Sequence, residues 1–186
     1  RLAGALMPQH KLRAAALLLA ICALAQIASA LYPLAKGALA MRLIARSYAL
    51  APGTRPWPGA DFHVVARLQS QRLGITQYVL DPASARALAF GPGLVQRDRH
   101  SGSVLSGHRD SHFSWLRDLR IGDYLALDRN GHTERYRVSA RQVVDRRKQS
   151  LAVPAANLLQ LTTCWPFDAL SAGGDLRYVV TAVADS

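Results

Sequence analysis

The stretch "QLTTCWPFDALSAGGDLRYVV", residues 160–180, contains two strand-like segments and a lone thiol. Residues 158–163 are followed at once by Cys164 and by Trp-Pro, and a second β-branched and aromatic run starts at Arg177. An unpaired cysteine often only fills a core. The surrounding pattern decides between that interpretation and a reactive one.

The pattern of short strands continues upstream. Turn signals separate the runs, among them Asp81-Pro82, Gly-Pro-Gly at 91–93, and Asn130-Gly131, which is a hairpin signal. Seven or eight short strands with few helices predict an all-β barrel or sandwich. The runs that we interpret as strands are residues 62–68, 75–80, 103–106, 124–128, 133–144, 158–163 and 177–183.

The net charge of +11 does not indicate a nucleic-acid partner. Residues 1–60 carry seven basic residues and no acid, and residues 61–186 carry the other sixteen basic and all twelve acidic residues, a net of +4. The excess charge therefore flanks an apolar segment, which fits a membrane surface better than a phosphate backbone. No nucleic-acid-binding motif is recognisable, and we expect no nucleic-acid partner.

The apolar segment is residues 14–35, which carry no charge over 22 residues and are long enough to span a bilayer as a helix. Lys11 and Arg13 precede it and predict a cytoplasmic N-terminus. A cleaved signal peptide is an alternative, because Ala28-Ser29-Ala30 fits the small-residue cleavage pattern. A helix buried in a protein core is a third interpretation of this segment.

We expect an uncleaved anchor. A helical stalk over residues 36–50 is expected to end at the Pro- and Gly-rich residues 51–59. The predicted domains are residues 1–50, comprising the N-terminus, the anchor and the stalk, and residues 51–186, the globular domain.

A second informative stretch is "VLSGHRDSHF", residues 104–113, which places His108 just after a short apolar strand and a glycine. His108, Cys164 and Arg177 are then each predicted at a strand end. Acyl transfer needs a thiolate nucleophile, an imidazole that moves protons and a cationic donor for the oxyanion. Each residue also has an ordinary structural interpretation: Cys164 as a core thiol, His108 as a turn residue and Arg177 as a solvated charge. His112 is the nearest competitor for the base, and a metal pair of His112 with His108 has no further ligand cluster to support it.

The motif "LTTC", residues 161–164, resembles the TLxTC signature of sortases, with Gln160 where that family usually has Thr. The strand-end Gly-His and the order His, Cys, Arg also match. The segments "FGPG" (90–93), "GHRDSHF" (107–113), "GD" (122–123) and "TCWPF" (163–167) resemble the sortase subfamily of Gram-negative bacteria. The Gln160 departure leaves the chemistry unchanged, because it precedes the thiol by four residues.

The resemblance runs from about residue 57 to the C-terminus and implies a closed eight-stranded sortase-type β-barrel with short helices, behind an N-terminal transmembrane helix. It implies Cys164 as the nucleophile, His108 as the general acid and base, and Arg177 as the oxyanion or substrate-orienting group. Thr163 and Trp165 are expected to line the substrate groove. No cofactor and no metal are expected, since no acidic cluster supports the calcium site of some sortases.

The implied activity is that of a cysteine transpeptidase, a hydrolase of the cysteine protease type. A sorting motif similar to LPxTG near the C-terminus of a substrate protein is cut through a thioester, and an amine acceptor takes the acyl group. The expected location is the inner membrane, with the catalytic domain on the periplasmic side. Two alternatives stay open: a cysteine hydrolase that uses water, and a membrane-tethered β-module that binds a partner without catalysis.

Overall fold

The computed structural model describes residues 9–96, 102–148, 154–169, 171 and 173–185. The chain divides into two compact units, residues 1–40 and 41–186. A 3₁₀ helix spans Ser114–Asp118. The α-helices and strands are α1 (Gln9–Leu50), β1 (His63–Ser70), β2 (Ile75–Asp81), α2 (Ala85–Leu88), β3 (Gly93–Gln96), β4 (Ser103–Ser106), β5 (Tyr124–Arg129), β6 (His132–Asp145), β7 (Leu158–Cys164) and β8 (Leu176–Ala184).

The eight strands form a closed barrel in the order β1-β2-β3-β4-β7-β8-β6-β5. The pairs β2–β3 and β4–β7 are parallel, and the other pairs are antiparallel. Closure leaves no sheet edge exposed. The predicted all-β, eight-stranded barrel is confirmed, and each of the seven runs interpreted as strands corresponds to a strand of the barrel.

The sequence does not predict strand β3, which begins at the last residue of the turn signal Gly-Pro-Gly at 91–93. Gly93 begins β3, where it pairs with Leu80 of β2 and with Ser106 of β4. A Cβ atom on Gly93 would lie 2.5 Å from the Cβ atom of Ala83. Gly93 is therefore needed for close packing against Ala83. Strand β3 is not predicted because four residues are too few to show an alternation of apolar and polar side chains.

The barrel core follows from the alternation of side chains along each strand. In β7, Leu159 and Leu161 point inward and are fully buried. In β8, Tyr178, Val180 and Ala182 do the same. The core cluster also contains side chains from the 3₁₀ helix and the residues beside it: Phe113, Trp115, Leu116 and Leu119.

The last turns of α1 belong to the second unit. Ile44 and Tyr48 pack in a second apolar cluster with Phe62, Val64 and Leu80. The Tyr48 hydroxyl donates a hydrogen bond of 2.7 Å to the backbone carbonyl of Asp128 in β5. The predicted stalk therefore ends as a packed part of the barrel unit.

The apolar segment forms part of one continuous helix, as the sequence predicts. Helix α1 runs through residues 14–35 without a break, and all these residues are exposed. Its most apolar 18-residue window has a mean hydropathy of 2.3. By length and composition, α1 is a candidate membrane span.

Candidate active site

Cys164 and Arg177 are direct partners in the antiparallel ladder between β7 and β8. Residues that face each other in such a ladder have side chains on the same side of the sheet, with Cβ atoms about 4.5–5.5 Å apart. Leu159 and Leu161 of β7 point into the core, so alternation places Cys164 on the outer face. Cys164 is partly exposed and carries a free thiol. Its position rules out the interpretation of Cys164 as core filling.

The parallel pairing of β4 with β7 brings His108 to the same end of the sheet. The last paired residues are Ser106 and Thr162, and His108 and Cys164 each follow two positions later. Gly107 extends the ladder, since its N–H donates to the carbonyl of Thr162 at 3.2 Å. His108 itself is exposed.

Thr163 fixes the residue before the histidine. Its hydroxyl donates a hydrogen bond of 2.7 Å to the carbonyl of Gly107, and Thr163 is 2% exposed. The carbonyl of His108 accepts the N–H of Phe113 at 3.0 Å, which starts the turn toward the 3₁₀ helix. The backbone on both sides of His108 is thus held by hydrogen bonds.

Arg177 is partly exposed, and one of its guanidinium nitrogens is held by backbone. Nη1 donates to the carbonyls of Gly174 and Leu176, both at 2.9 Å. Within the described residues, neither Nε nor Nη2 of Arg177 makes a hydrogen bond. The planar group is therefore anchored on one side and has donors left on the other.

Aromatic rings line the chain just after the thiol. Trp165 stacks on Tyr178 with ring centroids 5.5 Å apart and an interplanar angle of 20°. Phe167 packs edge-on against both rings. The N–H of Trp165 donates to the carbonyl of Leu176 at 3.1 Å. These contacts hold the rings of Trp165 and Phe167 against the core residue Tyr178.

His112 faces other parts of the fold. Its Nδ1 lies 3.3 Å from Oε1 of Gln77 in β2, and its Nε2 lies 3.3 Å from the carbonyl of Ala89, just after α2. Burial lowers the pKa of His112 below its usual value of 6.5. Within the described residues, no group of three His, Cys, Asp or Glu side chains could hold a metal ion.

Sequence reasoning missed Arg109. Its side chain is 4% exposed, and its guanidinium bonds to Asp110 and to carbonyls of the segment after Cys164. The available signal was its place in the Gly-His-Arg-Asp motif, between two candidate functional residues. An arginine in a loop, however, is most often solvated, and nothing in the pattern indicates that this one is buried.

The comparison with protein families agrees with this geometry. The sortase domain family matches residues 68–185, which is more than half of the chain and includes His108, Cys164 and Arg177. The chain therefore belongs to the sortase family, a family of cysteine transpeptidases. A comparison with curated proteins gives no match.

Solved sortase structures share the fold. Sortase A from Corynebacterium diphtheriae has a TM-score of 0.59 and 18% identity over 82% of this chain and 85% of that chain. Sortase C1 from Streptococcus agalactiae, in complex with MTSET, has a TM-score of 0.57 and 18% identity over 66% of this chain and 68% of that chain. Sortase A from Listeria monocytogenes has a TM-score of 0.57 and 18% identity over 66% of this chain and 88% of that chain. At such identities the likeness shows the fold.

Gly107 yields the first prediction. A Cβ atom at this position would lie 2.9 Å from the ring of Phe113, which is fully buried. Gly107→Ala should therefore lower the free energy of unfolding by about 1–3 kcal/mol through overpacking. It should also displace His108 and reduce turnover. Thermal unfolding and a peptide-turnover assay measure the two effects.

The double variant Gly107→Ala with Phe113→Leu is the control. A smaller side chain at 113 makes room for the added methyl group, so the double variant should lose less stability than the sum of the single losses. Strictly additive losses would show that the contact with Phe113 is not the reason for the glycine.

Proposed function

We propose that this protein is a membrane-anchored transpeptidase that cuts an LPxTG-like motif near the C-terminus of a substrate protein and transfers the acyl part to an amine. The observation that carries the proposal is the direct pairing of Cys164 with Arg177 at the strand end that His108 also reaches. Membership of the sortase family supplies the reaction class.

The proposed first half-reaction forms a thioester. The Cys164 thiolate attacks the carbonyl carbon of the scissile peptide bond, and the carbonyl oxygen becomes an oxyanion. When the intermediate collapses, the C–N bond breaks and His108 gives a proton to the leaving amine. In the second half-reaction an acceptor amine attacks the thioester, His108 takes a proton from it, and Cys164 leaves as the thiolate.

Arg177 is proposed to stabilise the oxyanion or to orient the substrate. Its Nη1 is held by two backbone carbonyls, which restrains the guanidinium of a residue that pairs with Cys164 in the ladder. Preorganised donors of this kind stabilise charge that develops in the transition state. A lysine would keep the charge but would not present two fixed donors.

Thr163 and Trp165 are proposed to shape the site in different ways. The buried hydroxyl of Thr163 acts through the carbonyl of Gly107 and so sets the position of His108. The ring of Trp165, held on Tyr178, is proposed to form a wall of the substrate groove.

Membrane anchoring is part of the proposal. Helix α1 offers an exposed apolar segment, and the basic residues before it favour a cytoplasmic N-terminus. The barrel would then lie on the periplasmic side of the inner membrane. Residues 1–50 would serve as N-terminus, anchor and stalk, and residues 51–186 as the catalytic domain.

The division of labour at the site gives the second prediction. Cys164→Ala should abolish turnover of a sorting-motif peptide. His108→Ala should lower it by roughly 10²–10⁴-fold, the usual contribution of general acid–base help. Arg177→Lys should lower it on the order of 10²–10³-fold, as for the loss of one oxyanion donor. The assay uses the full chain in detergent, because a protein cut at residue 51 would lack Ile44 and Tyr48 of the second apolar cluster.

His112→Ala is the matched control for His108→Ala. His112 contacts Gln77 and Ala89, so its loss should have little effect on turnover. An inactive His112→Ala beside an active His108→Ala would show that the base is assigned to the wrong histidine. Product that forms equally well without an added amine would favour the hydrolase alternative.

The anchor gives the third prediction. Protein purified from its native membrane should retain residues 14–35, because the segment serves as an uncleaved span. Mass spectrometry of the intact chain tests this. An N-terminus at Leu31 would show cleavage after Ala30 and would contradict the anchor, although not the export of the barrel.

A further inference from the structure

The buried guanidinium of Arg109 joins the two chain segments that carry His108 and Cys164. Nη1 donates to the carbonyl of Pro166 at 2.7 Å. Nη2 donates to the carbonyls of Ala169 at 3.0 Å and Ser171 at 3.4 Å. Arg109 directly follows His108, and the three carbonyls belong to the β7–β8 loop, whose described residues are 165–169, 171 and 173–175.

The charge of Arg109 is balanced locally. Its Nε and Nη2 bind the two carboxylate oxygens of Asp110 at 2.7 and 3.0 Å. The hydrogen bond with Asp110 raises the pKa of Arg109 above its usual value, and the charges of Asp110 and Asp168 add to the effect. Arg109 therefore has a compensated positive charge and is bonded to the loop that follows Cys164.

The position needs an arginine. A guanidinium has five N–H donors in a planar fork, and here Nε, Nη1 and Nη2 all bond to protein oxygens. A lysine ammonium has three donors at a single point and cannot reach the carboxylate and three separate carbonyls together. Loss of the fork would leave three partly buried hydrogen bonds to loop carbonyls unmade, which is costly.

We propose that Arg109 is a positioning residue: it ties the β7–β8 loop to the backbone of His108 and so holds the thiol and the imidazole in register. This inference rests on the transpeptidase function proposed above. Parallel pairing of β4 with β7 aligns the two strands only up to Ser106 and Thr162. Beyond the ladder, Arg109 spans from the histidine segment to the loop after the cysteine with three hydrogen bonds, whereas the exposed Arg117 adds one long bond of 3.5 Å to the carbonyl of Phe167.

A purely structural role and a positioning role give different results. A structural link would affect the melting temperature, while turnover well below that temperature would be unchanged. A positioning link would affect kcat, because a displacement of about 1 Å at reacting groups costs on the order of 10²-fold in rate. It would also release the loop locally, while the barrel strands keep their protection.

The experiment compares the full-length protein with Arg109→Met and Arg109→Lys. We expect kcat for a sorting-motif peptide to fall on the order of 10²-fold in Arg109→Met, with a much smaller change in KM. The kcat of Arg109→Lys should lie between the kcat of Arg109→Met and that of the parent protein. Hydrogen exchange should become faster at the loop amides of Trp165 and Ala169 and stay unchanged in β1 and β5.

Arg117→Met is the matched control. Arg117 reaches the same loop: its guanidinium carbon lies 4.8 Å from the ring centroid of Phe167, and its Nη2 donates one hydrogen bond of 3.5 Å to the carbonyl of Phe167. Unlike Arg109, Arg117 is exposed. Its loss should leave kcat and loop exchange unchanged. Full kcat in both Arg109 variants would overturn the positioning role, as would equal losses in Arg117→Met and Arg109→Met. If Arg109→Met does not fold, Arg109→Lys decides alone.

Cys164→Ala separates this inference from the proposed function. An inactive Cys164→Ala beside fully active Arg109 variants removes only the role of Arg109. Turnover by Cys164→Ala removes the proposed function itself, and the positioning role with it.

Discussion

The parallel pairing of β4 with β7 is the constraint on which the site depends. Two parallel strands run in the same direction, so the chain leaves both strands at the same end of the barrel. The register from Ser103–Leu159 to Ser106–Thr162 therefore sets where His108 and Cys164 emerge. A shift of one residue in β7 would turn Cys164 into the barrel and Thr163 outward. The leucines of β7 oppose that shift, because they would be lost from the core.

The core and the site are thus built from alternate residues of the same strands. In β7, Leu159 and Leu161 bury their side chains and fix the register, and Cys164 lies on the other face. In β8, the core residue Tyr178 lies next to Arg177 in the chain, and the ring of Trp165 stacks on it. Packing energy from the inner face, about 1.5–3 kcal/mol for each fully buried large apolar side chain, stabilises the geometry of the outer face.

Much of this arrangement could be read from the sequence, because alternation and turn residues mark long strands clearly. The ladder partners Cys164 and Arg177 were both placed at strand ends from local pattern alone. Strand β3 was not found, since four residues that start at Gly93 show no period. No local pattern indicates that Ile44 and Tyr48 pack with Phe62, or that Arg109 is buried. Such contacts join residues far apart in the chain, and only the closed barrel brings them together.

The most direct test of the central claim is to trap the acyl-enzyme. The full-length protein is incubated with an LPxTG-like peptide in the absence of an acceptor amine, quenched in acid and weighed by intact-mass spectrometry. We expect a mass increase equal to the acyl part of the peptide, mapped to Cys164 and removed by hydroxylamine. Peptide cleavage without any adduct, or an adduct on Cys22 in place of Cys164, would contradict it.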